Sequence, residues 1–582
     1  MLRRLSPAGA LLPQVPNTMF AAVLRRTPIQ ATSWERPLLR LCFGITLSLL
    51  LLLLPAPLLS LLLRSLENAQ GEFVGLANFI HYFNSGALQR SLGNSLWVAT
   101  LSTLIVVSLA FAAAWALTRT RLPMRGWLRA ALLLPILAPS LLPALSLIYL
   151  FGEQGVLKHW LAGHSIYGPL GIVMGSCFWT FPHALMILVT ALSQADARHY
   201  EAAEVLRAST LRTFLCVTLP NARYGLVSAA FVVFTLVFTD FGVPKVIGGS
   251  YDVLATDIYK QVIGQQRFEM GAVVSVLLLL PALLAFLADR WVQRRQAATI
   301  TARAVPYQPK PNRLRDSWGA LLLSAPVLFI LGVIAMAVYA SLVQYWPYNL
   351  TLTLNSYQFD RLLGDGWGSY LNSLRLAALT MLAGTALCFV NAWFSQRTPQ
   401  PGALRGLFQL CSLLPLAVPG MTLGLGYIFF FNHPENPLNG LYGGMTILVL
   451  CTLVHFYSVP HLNLVTAFKQ LDGEFEAVGE SLRASRVQIL LRVTLPLSLP
   501  ALLDVALYFF VNAMTTVSAV VFLYGPETSL AAISVLNLDD AGQTAGAAAM
   551  AVCILLTCAA AKLLHGLLSA LLARRQQHWR GR

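Results

Sequence analysis

The sequence predicts an all-α membrane protein, with about twelve transmembrane helices in two parallel six-helix repeats. Three observations predict it. Of 582 residues, 57% are hydrophobic and 11% charged, with a mean hydropathy of +0.66. Soluble domains carry about 25% charged residues, so a chain of this length could not cover a water-facing surface. Long apolar runs recur along the chain, each near the roughly 20 residues that a helix needs to cross about 30 Å of hydrocarbon. Short motifs of the first half return, in order, in the second. The composition excludes a soluble enzyme, a disordered chain and a fibrous one.

The elements follow in order. Residues 1–40 form a basic N-terminal arm with Arg25, Arg26, Arg36 and Arg40. The first span, Leu41 to Leu63, has no charge and is interrupted only by Pro55 and Pro57. It exceeds a signal-peptide core and reads as an uncleaved span. Further spans are predicted near 94–118, 128–151, 170–192, 223–248 and 270–289, which makes 41–290 the first repeat. Residues 291–318, with Tyr307-Gln308-Pro309-Lys310-Pro311, read as a cytoplasmic linker with no packed core of its own. The second repeat, 319–573, has spans near 319–342, 371–395, 405–430, 443–467, 498–523 and 544–572. Residues 574–582 form a basic tail.

Forty Lys and Arg against 24 Asp and Glu leave a net charge of +16. The excess lies in the arm, in Arg119, Arg121, Arg125 and Arg129, in the linker, and in the tail. All these segments fall on one side of a twelve-span topology. The positive-inside rule then places both termini in the cytoplasm. Charge is thus explained by the bilayer, and nucleic acid is not an expected partner. The eight cysteines show no CxxC pair or metal-ligand spacing, so neither a disulfide framework nor a metal site is expected.

The duplication is explicit. Asn94-Ser95-Leu96 recurs as Asn372-Ser373-Leu374. Leu134-Pro135 and Pro139 recur as Leu414-Pro415 and Pro419. Pro182-His183 recurs as Pro460-His461, and Leu206-Arg207-Ala208-Ser209 as Leu482-Arg483-Ala484-Ser485. The offset stays between 276 and 280. Six spans per repeat give both copies the same orientation, as in parallel repeats related by an axis along the membrane normal.

The most informative segments follow the fourth span of each repeat. The first, 196–220, contains Glu201-Ala202-Ala203, Arg207 and Leu219-Pro220. The second, 472–496, contains Glu476-Ala477, Arg483 and Leu495-Pro496, with one extra residue between its Glu and the Leu-Arg-Ala-Ser block. Each reads as a helix up to the Ala-Ser step, then a second helix ending near the Pro. A small-residue face permits close approach of a partner, and the two arginines offer fixed charge to its carboxylates.

These loops resemble the EAA loops of the membrane subunits of ATP-binding-cassette importers, once per half, at the same topological position. In that family a Gly stands where Arg207 and Arg483 stand here. The resemblance implies a type I importer permease fold in a bacterial inner membrane. It implies an ATPase dimer docked on the two loops and a periplasmic substrate-binding protein outside. The chain has no G-x-x-x-x-G-K-[ST], so ATP and magnesium are expected on the separate ATPase. No catalytic residue and no cofactor are expected in this chain.

Candidate pathway residues are fewer. Asp240 and Lys245 flank a Gly-Pro break at the end of the fifth span. They either face a cavity, pair with each other, or cap helix ends. Thr515 and Thr516 stand opposite them in the second repeat. His183 and His461 follow prolines and either line the pathway or bond a backbone carbonyl at the kink. The layout resembles the ferric-iron, thiamine and phosphonate group of importer permeases. The runs Asp240 to Gly249, Ala255 to Val262 and Thr515 to Tyr524 look most like 2-aminoethylphosphonate permeases. A twelve-span secondary transporter is the alternative class, and it gives no reason for two such loops.

Overall fold

Three of the twelve spans are broken, and prolines mark each break. The computed structural model describes residues 35–297, 305, 307–397, 401–471, 474–482 and 484–577. The basic arm up to residue 34, the tail from 578 and Arg483 lie outside the described residues. Among the described residues, nine helices are long and apolar enough to cross a membrane, and three bent pairs bring the total to twelve.

In the first repeat, α1 (Glu35–Leu53) and α2 (Pro55–Ser65) run on as one span. The short α3 (Ala77–Asn84) leads to α4 (Ala87–Arg119), the bent pair α5 (Arg125–Leu133) and α6 (Leu141–Phe151), and α7 (Pro169–Ser193). Two short helices, α8 (Ala197–Val205) and α9 (Thr210–Thr213), precede α10 (Leu219–Phe238). Then come α11 (Gly242–Ile247), α12 (Leu254–Tyr259) and α13 (Phe268–Ala297). The second repeat opens with α14 (Arg313–Leu342), followed by an antiparallel hairpin, β1 (Val343–Tyr345) and β2 (Asn349–Leu352), and α15 (Phe359–Leu362). It continues as α16 (Gly368–Arg397), α17 (Gly402–Leu413), α18 (Gly420–Phe431), α19 (Met445–His455) and α20 (Ser458–Gln470). The last elements are α21 (Glu474–Ser481), α22 (Arg486–Ile489), α23 (Leu495–Thr515), α24 (Ala531–Asp540) and α25 (Thr544–Gln577).

The helices correct several sequence expectations. The spans expected near 128–151 and 405–430 bend by 103° and 116°. Pro135 with Pro139, and Pro415 with Pro419, remove amides and crowd the preceding carbonyls, so neither helix can run through. The tenth span bends by 55° between α19 and α20. The fifth and eleventh spans stop at Phe238 and Thr515, short of the expected 248 and 523. At the other end they start early. Thr210–Phe238 and Arg486–Thr515 are each one helix, which passes through Pro220 or Pro496 where the sequence suggested an end. The turn before each proline widens into a π-helical one, Phe214–Thr218 and Leu490–Thr494. That widening accommodates the ring and the missing amide.

Connections fix two opposite ends of the bundle. Arg121 after α4, Ala197 after α7 and Asp316 in α14 meet at one end, through Arg121 N to Asp316 Oδ1 (3.0 Å) and Ala197 N to Val305 O (2.9 Å). At the other end Gly168 N donates to Ile247 O (2.9 Å), and Trp346 Nε1 to Gln154 O (3.2 Å). The bent pair α5–α6 starts near Arg121 and stops near Gln154, so it runs from one end to the other despite its angle.

The leading helix of each repeat packs on the other repeat. Helix α2 lies against α18, and α14 lies against α4, α5 and α6. Tyr427 Oη donates to Leu53 O at 2.8 Å, and a Cβ at Gly426 would stand 2.9 Å from Pro57 O. The buried apolar core is therefore continuous through both halves.

Candidate functional site

The first loop is built from its caps inward. Asp196 accepts the amide of Arg198 (3.1 Å) and so starts α8. The Arg198 amide, and then that of Val305, hold the Asp196 carboxyl below the usual carboxylate range. The helix ends in a two-bond cap: Ala208 N donates to Ala203 O (2.9 Å) and Arg207 N to Glu204 O (3.0 Å). This is the Schellman arrangement, whose turning residue is left-handed and is ordinarily Gly. Arg207 occupies it with φ +50°. That is the position where the resembled family carries Gly. Ser209 then accepts the amide of Arg212 (3.3 Å) and opens the next helix.

The second loop repeats the construction. Ala484 N donates to Gly479 O (3.0 Å) and Leu482 N to Val478 O (3.0 Å). Ser485 and Gln488 exchange reciprocal capping bonds of 3.1 and 3.0 Å. These bonds align Gly479 with Ala203 and Val478 with Ala202, without an insertion. The extra residue inferred from the sequence is thus a shift of the Glu-Ala pair: Ala477 falls opposite Glu201, and Glu476 opposite Tyr200. The side chains of Glu476 and Ala477, like Arg483, lie outside the described residues.

Among the described residues the two loops are exposed at matching positions, Ala202 with Val478 and Leu206 with Leu482. Ala203 is buried, while Glu201 and Ala202 are exposed. A Cβ at Gly479 would lie 2.5 Å from Ile489 Cδ1, so a side chain there would have to displace that of Ile489. Leu219 and Leu495 are half-buried at the π-turn, and Pro220 and Pro496 are exposed. A groove of about 570 Å³ runs between α8 and the start of the next helix, lined by Ala202, Ala203, Leu206, Ala208, Arg212 and Val217 among others. Leu206 and Leu482 are 80% and 74% exposed, and Val205, Leu211, Val478 and Leu491 are exposed as well. Apolar side chains this open, in segments between the spans, form surfaces suited to a partner.

An arginine anchors each loop to the bundle. Arg119, the last residue of α4, donates from Nη2 to Leu192 O (2.7 Å) at the end of α7. Arg397, the last residue of α16, donates to Phe468 O (2.9 Å) and Leu471 O (3.3 Å) at the end of α20. Each satisfies carbonyls that a helix C-terminus leaves open and complements its dipole. From the sequence alone Arg119 marks only orientation, and Arg397 does not stand out. Their matched spacing in the two repeats was the available signal.

The candidate pathway residues do not come together. Asp240 is buried and accepts the amides of Gly242 (3.2 Å) and Val243 (3.3 Å), which caps α11. Lys245 pairs instead with Asp540 of the other repeat, Nζ to Oδ1, at 2.9 Å. His183 Nδ1 lies 3.2 Å from Trp179 O within its own helix. Its counterpart His461 is buried and stacks on Tyr457, rings 5.3 Å apart, with Tyr457 also receiving Asn391 Nδ2 at 2.7 Å. Thr515 closes α23 by bonding Val511 O (3.0 Å), and Thr516 is buried just beyond. Among the described residues no cluster of His, Cys, Asp or Glu could hold a metal ion.

Comparison with known proteins gives the same two-part division. The family model of the binding-protein-dependent transport system inner membrane component matches twice, over residues 105–298 and 393–574. Both copies of the loop fall inside these matches. The ferric transport system permease protein FbpB of Actinobacillus pleuropneumoniae is 28% identical over 489 residues, covering 81% of this chain and 70% of its own. The thiamine transport system permease protein ThiP of Brucella abortus is 26% identical, covering 71% of this chain and 74% of its own. A probable sulfate transport system permease protein of Nephroselmis olivacea is 26% identical over 43% of this chain and 88% of its own. With two matched copies spanning most of its length, a duplicated helical bundle and a similarly capped loop in each half, the chain belongs to the binding-protein-dependent transport system inner membrane components, the permeases of ATP-binding-cassette importers.

Proposed function

We propose that this permease forms the pathway for a small solute that a periplasmic binding protein delivers, and that a separate ATPase dimer drives it through the two loops. The observation that carries this reading is the pair of exposed apolar turns, around Leu206 and Leu482, each at the start of a long helix. A push on either turn passes directly into α10 or α23, because the helix is continuous from Thr210 to Phe238 and from Arg486 to Thr515. Both termini and the linker lie in the cytoplasm on this reading, as the basic residues require.

The cargo is 2-aminoethylphosphonate on the strength of the resemblance of Asp240 to Gly249, Ala255 to Val262 and Thr515 to Tyr524. Ferric iron or thiamine is the second reading, favoured by the ferric and thiamine transport permeases that match 81% and 71% of this chain. The test is uptake in cells deleted for this permease, with each of the three solutes supplied in turn. The first reading expects loss of growth on 2-aminoethylphosphonate as sole phosphorus source, with phosphate restoring it. Unchanged phosphonate uptake, with no parallel system present, overturns the cargo. Loss of ferric or thiamine uptake instead supports the second reading.

A further inference from the structure

The segment that joins the repeats does not hang free of them. Its described residues lie on the first loop and on the end of α4. Val305 O accepts the amide of Ala197, the first residue of α8, at 2.9 Å, and Val305 N reaches Asp196 Oδ1 at 3.4 Å. The Tyr307 ring lies 4.6 Å from that of Tyr200 in α8. The Arg119 guanidinium sits 4.8 Å from the centre of each of these two rings. Arg119 Nε also donates to the Tyr200 hydroxyl at 3.2 Å, and Tyr200 Oη in turn donates to Thr218 Oγ1 (3.2 Å) in the π-turn. Farther along, Lys310 Nζ is 2.8 Å from both carboxylate oxygens of Glu204, near the end of α8. Asn312 and Asp316 then anchor the start of α14, where Asp316 takes the Arg121 amide at 3.0 Å.

The weights of these contacts differ. Lys310 and Glu204 are both well exposed, and such a pair contributes little on its own. Arg119 is only 4% exposed. A buried guanidinium held between two rings and two backbone carbonyls is the stronger element, because it has no water to return to. Tyr307 supplies one of the two rings, so the linker completes a site that α4 and α8 leave half built.

We propose that the linker is a clamp on the first coupling helix, with Tyr307 as its positioning residue and Lys310 as a secondary tie. The proposal rests on the importer reading, in which α8 transmits motion to α10. A single linker can cover one loop only, and it covers the first. The two loops of this fused permease are therefore mechanically unequal: the first is held between membrane helices and linker, and the contacts of the linker's described residues fall on that loop and on the end of α4, not on α21. Fusion of the repeats thus does more than keep two halves together.

The test compares Tyr307→Ala, Tyr307→Phe and the charge-exchanged pair Glu204→Lys with Lys310→Glu, in the full permease. Amide hydrogen exchange is read first, on the permease alone. Tyr307→Ala should speed exchange of residues 197–206 by about tenfold, as expected when a desolvated cation–π contact is lost, with 474–482 unchanged. Tyr307→Phe keeps the ring and should retain the protection, and the exchanged pair should behave like the unmodified protein. Solute moved per ATP hydrolysed is read second, in the complex with the ATPase and binding protein, and should fall for Tyr307→Ala and not for Tyr307→Phe. Unchanged exchange at 197–206 in Tyr307→Ala overturns the clamp. Faster exchange with an unchanged transport ratio overturns its positioning role. Failure of the importer reading would show separately, as uptake without ATP by the unmodified complex.

Discussion

Ser95 Oγ, near the start of α4, accepts the amide of Leu254, the first residue of α12, at 2.9 Å. Ser373 does the same for Ala531, the first residue of α24, at 2.8 Å. The neighbouring asparagines complete the motif, Asn94 Nδ2 to Asp252 O (2.9 Å) and Asn372 Nδ2 to Glu527 O (2.9 Å). The Asn-Ser pair that first revealed the duplication thus holds the start of a short helix in both halves. Both serines are buried, so water cannot replace them.

Replacing either serine by Ala leaves a buried amide without a partner, which costs about 1–3 kcal/mol. Ser95→Ala and Ser373→Ala should each lower the thermal midpoint of the purified permease by a similar amount. The sites are far apart in the chain and on separate helices, so the two losses should add. No shift in either variant would show that these bonds do not hold α12 and α24.

Arg207 stands in a left-handed turn that costs a residue with a Cβ about 1 kcal/mol. Arg207→Gly should therefore slow amide exchange across α8 by several-fold. Faster exchange would mean that the Arg207 side chain stabilises the loop by more than its backbone strains it.

Gly479 and Ile489 approach so closely that a branched side chain at 479 must push the Ile489 side chain aside. Gly479→Val should abolish uptake while the protein still inserts. Shortening the neighbour, as in Gly479→Val with Ile489→Ala, should recover part of it. The reverse change in the first loop, Ala203→Gly, loses only helix propensity, about 1 kcal/mol at most, and should be tolerated. Normal uptake in Gly479→Val would contradict the packing of this loop.

Lys245 and Asp540 tie the two repeats together at the end opposite the loops, with 22% and 49% of their side chains exposed. Partial exposure limits the pair to about 1 kcal/mol or less. A double-mutant cycle on unfolding should return a coupling in that range, and Lys245→Asp with Asp540→Lys should restore what each single change loses. A coupling of zero would mean that the two halves do not rely on this contact.

Several features could be read directly from the chain. The apolar runs, the ordered repeats and both loops required only hydropathy and spacing. Bends at Pro135–Pro139 and Pro415–Pro419 were signalled by proline but not their angles, since proline fixes where a helix breaks and neighbours decide the direction. The exchange of α2 and α14 between halves was not legible, because uniformly apolar helices carry no mark of which neighbour they choose. The second loop was misaligned by one residue because Glu476-Ala477 looked like Glu201-Ala202. Only the backbone bonds of Val478 and Gly479 show the register. Tyr307 and Lys310 were hidden by a Pro-rich context that reads as an unstructured linker.

The orientation proposed from the basic residues can be tested at the same linker. A single cysteine at Gln308, in a background without the others, should resist an impermeant reagent in intact spheroplasts, and a site near Gly71 should react. Equal labelling of the two would reverse the topology.

On the importer reading, ATP-driven closure of a partner reaches the spans through both loops. The most direct measurement is solute uptake by vesicles containing the permease, ATPase and binding protein, with ATP depleted while the proton gradient is kept. The account predicts that uptake stops. It also predicts that Ala202→Trp, or Val478→Trp in the matching position, blocks uptake with ATP present while the complex still assembles. Uptake that continues on the proton gradient alone, or normal transport by both tryptophan variants, would contradict it.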